Sequence, residues 1–344
     1  MKNKYQKTLF SIILPIYHSN KYYLKQTIKS IVYQGEILKK GELIVVDRGN
    51  KSQIYQYISN NLSKYIKVNY YKNNQAITAK GLNIGIKHAQ GKYIIRVDDH
   101  CILPKNYVEK IIETLKTKKY DNVGVQQVII GKGYWGKAIA IVMNSVFGNG
   151  GVVYRKSISK ERLTDTVFLG AWKKSLFEKI GYFDEKFVTN QDAEFILHIL
   201  KNRITRSVSE DIELNARIIK KFGKIVIIPG LTIKNYCRNS IISFAVQFFR
   251  YGIGRNYTFH KHKQYQKRHK IIFLVLIFFP ISFALYIPFT IIYSFIITFP
   301  KKIKYYPALL VLYPVQHISW LSGLFYKEFA DKSALEKTEK NAQN

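Results

Sequence analysis

Two carboxylates and an imidazole stand together at Asp98, Asp99 and His100, directly behind the strand-like run 93–97. Ionisable groups crowded against a buried strand are costly unless something binds them. Oxygen and nitrogen donors of this kind suit Mg²⁺ or Mn²⁺, and the imidazole tilts the choice towards manganese. A cation held there can bridge a diphosphate and neutralise charge developing on a departing nucleotide. The plainer alternative is a solvated turn with acids chosen for capping. A third acid, Asp47, closes the run 42–47, where its carboxylate can accept hydrogen bonds from a base or ribose, although aspartate after a strand is common turn chemistry. Lys80 and Asn83 stand at the start of a helical stretch, where free amides and the positive end of the dipole favour phosphate.

Elements must bring these groups to one place. Residues 9–16 form an apolar run of strand length, and 21–34 carry apolar residues at helical spacing. Strands over 42–47, 66–71 and 93–97 then alternate with helices over 51–62 and 79–89. Continuous apolar strands alternating with helices predict an α/β fold, with a mostly parallel sheet covered by helices on both faces. Ligands bind such sheets at the carboxyl ends of the strands. Asp47 and the 98–100 cluster both fall at such ends. Further on, the pattern predicts a helix over 104–119, a strand over 123–130, helices over 173–181, 192–202 and 211–221, and a strand over 224–228 ending at Pro229–Gly230. The glycine-rich stretch 131–151 fits no single element.

The 344-residue chain has 55 Lys and Arg against 22 Asp and Glu, a formal charge of +33, which favours anionic partners: nucleic acid, an anionic leaflet or phosphorylated substrates. No recognised nucleic-acid-binding pattern occurs, so nucleic acid is not an expected partner. Nor is there a Walker or dinucleotide fingerprint. Two cysteines, Cys101 and Cys237, without CxxC spacing argue against a disulfide scaffold or zinc ribbon and suit a reducing compartment. The basic N-terminus before residues 9–17 mimics a signal peptide, but Pro15 interrupts the short run and no cleavage pattern follows, so a first strand is expected.

Residues 271–299 carry no charge, exceeding the ~20 apolar residues needed to span a bilayer. Pro280 and Pro288 interrupt them, and lysines flank both sides, which disfavours a single span. A proline-broken hairpin at the membrane is expected, with 307–326 along its surface. The expected organisation is therefore a catalytic domain over 1–236, a basic connector over 237–270, membrane-associated helices over 271–328 and a polar tail over 329–344.

The ordered segments SIILPIYHSNKYYLKQTIKSIVYQ, IIRVDDHCILPKNYVEK, WGKAIAIVMNSVFGNG, DTVFLGAWKKSLFEKIGYFDE, Asn190–Gln191–Asp192 and QFFRYGIGR together resemble the family 2 inverting glycosyltransferases of GT-A fold, nearest the branch of succinoglycan-type exopolysaccharide enzymes. The resemblance covers about residues 9–258, and the C-terminal segment more loosely. It implies a nucleotide diphosphate-sugar donor, a UDP-sugar foremost, and a lipid-linked saccharide acceptor. It also implies a place at the cell membrane with the catalytic domain on the cytoplasmic side. Asp47 would contact the base, and Asp98 and His100 would be the outer members of a D-x-H variant of the metal motif, with Asp99 between them. Gly170, Ala171 and Trp172 would line the acceptor side, and Arg250, in a Q-x-x-R-Y version of the Q-x-x-R-W signature, would contact the diphosphate. Inverting transfer needs a carboxylate to deprotonate the acceptor. Two candidates remain: Asp211, in the favoured Glu210–Asp211 helix start, and Asp192. A processive polysaccharide synthase, or a non-catalytic basic relative that binds nucleotide or nucleic acid, are the alternative readings.

Overall fold

The computed structural model describes residues 8–16, 19–47, 53–75, 77–185, 210–262 and 279–342. They fall into two compact units. Among the described residues the first draws on 8–129, 151–185 and 210–236, the second on 130–150, 237–262 and 279–342. Residues 130–150, expected within the catalytic domain, thus belong to the second unit.

In the first unit β1 (Phe10–Ile16), β2 (Gly41–Asp47), β3 (Lys67–Lys72) and β4 (Tyr93–Arg96) form the parallel half of a sheet. Alternation along β1 and β2 sorts their side chains onto two faces. Ile12, Leu14, Leu43 and Val45 join one core with Leu24 and Ile28 of α1 (Lys21–Val32) and Ile58 of α2 (Gln53–Leu62). Ile13, Ile44 and Val46 join another with Leu82 and Ile86 of α3 (Thr78–His88). These continuous β-branched runs are buried on both sides, as the sequence predicts.

The other half of the sheet is mixed. Beyond β5 (Cys101–Ile102), α4 (Tyr107–Lys116), β6 (Asn122–Ile130) and β7 (Arg162–Leu163) comes β8 (Phe168–Lys173), which inserts antiparallel between β4 and β6. With β9 (Ile225–Tyr236), the order is β3-β2-β1-β4-β8-β6-β9-β5, and β7 pairs β9. The expectation of a mostly parallel sheet is corrected by β8, whose short apolar run returns against its neighbours. β9 also continues past Pro229–Gly230: Gly230 takes φ +80°, bending the strand, and pairing resumes at Lys234 and Asn235 with Ile102 and Cys101.

At the amino-terminal edge of the parallel strands, Glu42 is fully buried and ionic partners are replaced by neutral donors. Ser11 Oγ and the Gln90 amide donate to Oε1 at 2.7 and 2.6 Å, and Asn69 Nδ2 donates to Oε2 at 2.7 Å. The Gly91 amide in turn donates to Ser11 Oγ at 2.9 Å.

The second unit is helical, with α5 (Gly133–Asn144) and α6 (Val146–Asn149) in its first segment. After α7 (Ser175–Ile180) and α8 (Glu210–Lys220) of the first unit, it continues with α9 (Ile241–His262), α10 (Phe279–Thr298) and α11 (Tyr306–Ala342). α9 and α11 meet backbone to backbone at a pair of glycines. A Cβ on Gly252 would lie 2.1 Å from the Trp320 carbonyl oxygen, and one on Gly323 would lie 1.9 Å from that of Phe249. Ile303–Tyr326 is long and apolar enough to cross a membrane, whereas the apolar stretch Ala284–Thr298 is shorter. The helices run through Pro288 and Pro314, and the turn between α10 and α11 exposes Lys301, Lys302 and Lys304.

Candidate active site

β1, β2, β3 and β4 end on Ile16, Asp47, Lys72 and Arg96, so the parallel register sets their carboxyl ends along one edge. At the end of β4 the Arg96 guanidinium binds two carboxylates at once. Nε and Nη2 donate to Asp98 Oδ1 and Oδ2 at 2.8 and 3.3 Å, and Nη1 donates to Glu210 Oε1 at 3.0 Å. The three side chains are only 12, 16 and 7% exposed, so water does little to screen them. Burial opposes the charge on Asp98, but the Arg96 cation, its hydrogen bond and His100 more than offset this and hold the carboxyl below its usual range.

Glu210 and Asp211 open α8. Asp211 is half-buried, and its Oδ1 accepts from the Ile212 amide at 2.9 Å. Burial pushes its pKa up to about 6, and the neighbouring Glu210 charge adds to the rise, against the pull of Arg96 and the backbone amides. A carboxylate poised there is a competent proton acceptor near neutral pH. The other end of α8 is fixed by Arg217, which binds both oxygens of the fully buried Glu213 and donates to the carbonyls of Ile180, Gly181 and Tyr182.

His100 donates from Nδ1 to Asp99 Oδ1 at 2.9 Å. A carboxylate accepts only, so the imidazole proton lies on Nδ1 and its lone pair on Nε2. That pairing orients histidines that bind metals. The Tyr236 amide donates to the His100 carbonyl at 3.0 Å, tying this loop to β9. The donors fit a divalent cation in character: an anionic Asp98 and an oriented His100. They do not form a finished cage, because Asp98 engages Arg96 through both oxygens, and among the described residues no group of three or more His, Cys, Asp or Glu could hold a metal. Hard cations bound through one or two protein groups complete their shells with substrate phosphates and water.

Asp47 is 8% exposed and accepts from the Tyr70 hydroxyl at 3.3 Å. Burial, then the Asp47 charge and this hydrogen bond, push Tyr70 up to about 12.

The family described as Glycosyl transferase family 2 matches residues 11–181, which include β1 through β4, the Asp98–His100 loop and β8. The chain carries a domain of this family. Among its relatives, the succinoglycan biosynthesis protein ExoA of Rhizobium meliloti is 24% identical over 84% of this chain and 86% of its own length. A dolichyl N-acetyl-alpha-D-glucosaminyl phosphate 3-beta-D-2,3-diacetamido-2,3-dideoxy-beta-D-glucuronosyltransferase of Methanococcus voltae is 23% identical over 73% of this chain and 74% of its own. A solved mannosyltransferase, PcManGT of Pyrobaculum calidifontis, in complex with GDP-Man and Mn²⁺, shares the fold. Its TM-score is 0.60 at 13% identity, over 92% of this chain and 87% of that one.

Within this glycosyltransferase, several residues expected at the site have other work. Trp172 is 2% exposed, with its ring packed against Phe177 and Phe183, so it has no face to offer a sugar. Ala171 is fully buried in the opposite core. Gly170 lies just beyond the last β4–β8 pair, Ile95–Ala171, at the same end of β4 as Arg96, and a Cβ there would strike the Trp172 ring at 2.3 Å. Asn83 is a structural clamp: its amide donates to the Phe183 carbonyl and Glu185 and accepts from the Phe183 amide, all at 2.9 Å, which leaves it no part in phosphate binding. Lys80 is half-buried in the first turn of α3. Arg250 lies on α9 in the second unit and is 7% exposed. Asp192 lies outside the described residues. Sequence reasoning gave no role to Arg96 or to Glu210, and the signal was an arginine ending an otherwise apolar strand two positions before an acid.

Proposed function

We propose that the glycosyltransferase moves a sugar from a nucleotide diphosphate-sugar, foremost a UDP-sugar, to a lipid-linked saccharide, with inversion at the anomeric carbon. The observation that carries this reading is Asp211, raised to about 6 on the first turn of α8, while Glu210 beside it is joined through Arg96 to Asp98. In the proposed step, Asp211 takes the proton of the acceptor hydroxyl as its oxygen attacks the anomeric carbon. The bond to the nucleoside diphosphate breaks on the opposite face. Asp98 and His100 would hold Mn²⁺ or Mg²⁺, which when bound neutralises charge on the leaving diphosphate. Asp99 keeps His100 turned for this purpose, and Asp47 meets the base or ribose.

The relatives support a glycan product. ExoA is named for succinoglycan biosynthesis, the Methanococcus voltae enzyme for a dolichyl-linked sugar phosphate, and solved neighbours carry GDP-Man with Mn²⁺ or UDP, GalNAc and Mn²⁺. The apolar helix Ile303–Tyr326 and the exposed lysines of the α10–α11 turn support a place at the membrane, with the lysines on the cytoplasmic side. The full chain in detergent, offered UDP-, GDP- and TDP-sugars with Mn²⁺ and a lipid-diphosphate saccharide, should release nucleotide from one donor class, and a chelator should stop it. Failure with every donor, or turnover indifferent to the chelator, refutes the reading.

A further inference from the structure

We propose that Arg96 is a positioning residue that sets the spacing between the donor carboxylate Asp98 and the base-bearing first turn of α8, by gripping Asp98 and Glu210 together. The inference rests on the reading of Asp211 as the base. Neither Arg96 nor Glu210 need touch substrate for it to hold.

Arg96 starts from a fixed point: it is the last residue of β4, in register with Ile13 of the central strand β1. Its side chain is a rigid planar fork, and three of its nitrogens are used, two on Asp98 and one on Glu210. A guanidinium can serve two carboxylates in fixed relative orientation; a lysine ammonium is a point charge without that geometry. Asp98 and Glu210 are 112 residues apart in the chain, so the grip joins the end of a parallel strand to the start of a distant helix.

Energetics favour a positional role over a stabilising one. Desolvating an ion triad costs about as much as the pairing returns, and well-packed apolar residues often replace such triads without loss. What the fork supplies is geometry, and a misplacement of about 1 Å can cost about 100-fold in rate. Arg217 holds α8 farther along at Glu213 and at the carbonyls of Ile180, Gly181 and Tyr182, so the two arginines fix successive turns of the base helix. Arg96 also balances charge, since its cation acts on Asp98, Glu210 and Asp211 together.

A double-mutant cycle on the full chain tests this, with Arg96→Lys, Glu210→Met and the pair. Turnover is read as UDP release from the UDP-sugar used by the wild type, and binding as UDP with Mn²⁺ by calorimetry. Each single variant is expected to lose about 100-fold in kcat, the scale of a small misplacement. The double variant should lose no more than about threefold beyond the worse single, since both break one linkage. UDP and Mn²⁺ affinities should stay within about threefold. Independent, multiplying losses overturn the proposal, as does a loss confined to UDP or Mn²⁺ affinity, which would make Arg96 a donor-binding group. Should the Arg96 variant fail to fold, Glu210→Met keeps the length of the side chain but removes the oxygen that accepts from Arg96, and wild-type kcat in it overturns the proposal. Asp211→Asn is the control: if it turns over normally, the base reading fails whatever the cycle shows. If it is inactive while the cycle multiplies, only the role of Arg96 fails.

Discussion

Replacing Asp211 by asparagine should destroy transfer and at the same time stabilise the protein. Asparagine keeps an oxygen to accept from the Ile212 amide, so local geometry survives. What disappears is a carboxylate whose pKa stands at about 6 against an ordinary 3.8. That difference corresponds to about 3 kcal/mol of stability withheld at neutral pH, at 1.36 kcal/mol per pKa unit. The sign follows from proton binding. Between pH 4 and 6 the folded state holds a proton on Asp211 that the unfolded state has released, so stability from this group falls as pH rises through that window and is flat above it. Asp98 acts oppositely and lower: its depressed carboxyl contributes stability that is lost only as pH falls below its usual range. Thermal unfolding at pH 7.5 should therefore place the variant about 5–10 °C above the wild type, and the gap should close towards pH 4. Turnover should fall about 10²–10⁴-fold, the usual contribution of a general base, with UDP–Mn²⁺ affinity unchanged. A variant less stable than the wild type at pH 7.5, or one within tenfold of its activity, refutes the reasoning.

The wild-type pH–rate profile should rise through about pH 6 and level off above it, and Asp192→Asn should keep both plateau and midpoint. Arg217→Ala removes three hydrogen bonds to the buried Glu213 carboxylate and those to three carbonyls, and should cost about 3–5 kcal/mol in denaturant unfolding. Gly252→Leu drives a side chain into the Trp320 carbonyl, so limited proteolysis should cut within 237–344 sooner than in the wild type. His100→Ala should weaken Mn²⁺-dependent UDP binding about tenfold or more while leaving metal-free UDP binding intact.

The parallel half of the sheet was legible because its strands alternate with amphipathic helices and β1 and β2 are continuous, largely apolar runs. The expected 42–47, 66–71 and 93–97 lie within a residue of β2, β3 and β4. β8 was not legible: FLGAWK is buried on both faces and shows no alternation, so nothing marked its direction. Trp172, which the resemblance put on the acceptor side, is a core ring. Asn83 misled because a helix start suits phosphate, while the amide's actual partners lie 100 and 102 residues away in sequence. The acids of the site were visible as residues out of place behind apolar runs. Their grouping was not, since the Arg96–Glu210 contact depends on how α8 returns to the sheet.

The Glu42 network gives the two edges of the sheet separate mutational fates. A buried carboxylate satisfied by a serine hydroxyl, an asparagine amide and the Gln90 backbone couples β1, β2, β3 and the approach to β4 at the edge opposite Asp47, Arg96 and Asp98. Changes there should impair folding across the whole sheet without altering which donor is used. Changes at the carboxyl ends can redirect donor or acceptor choice while the register survives. A lineage of such enzymes can therefore diversify its glycans by drift at one rim, provided that the other rim stays chemically frozen.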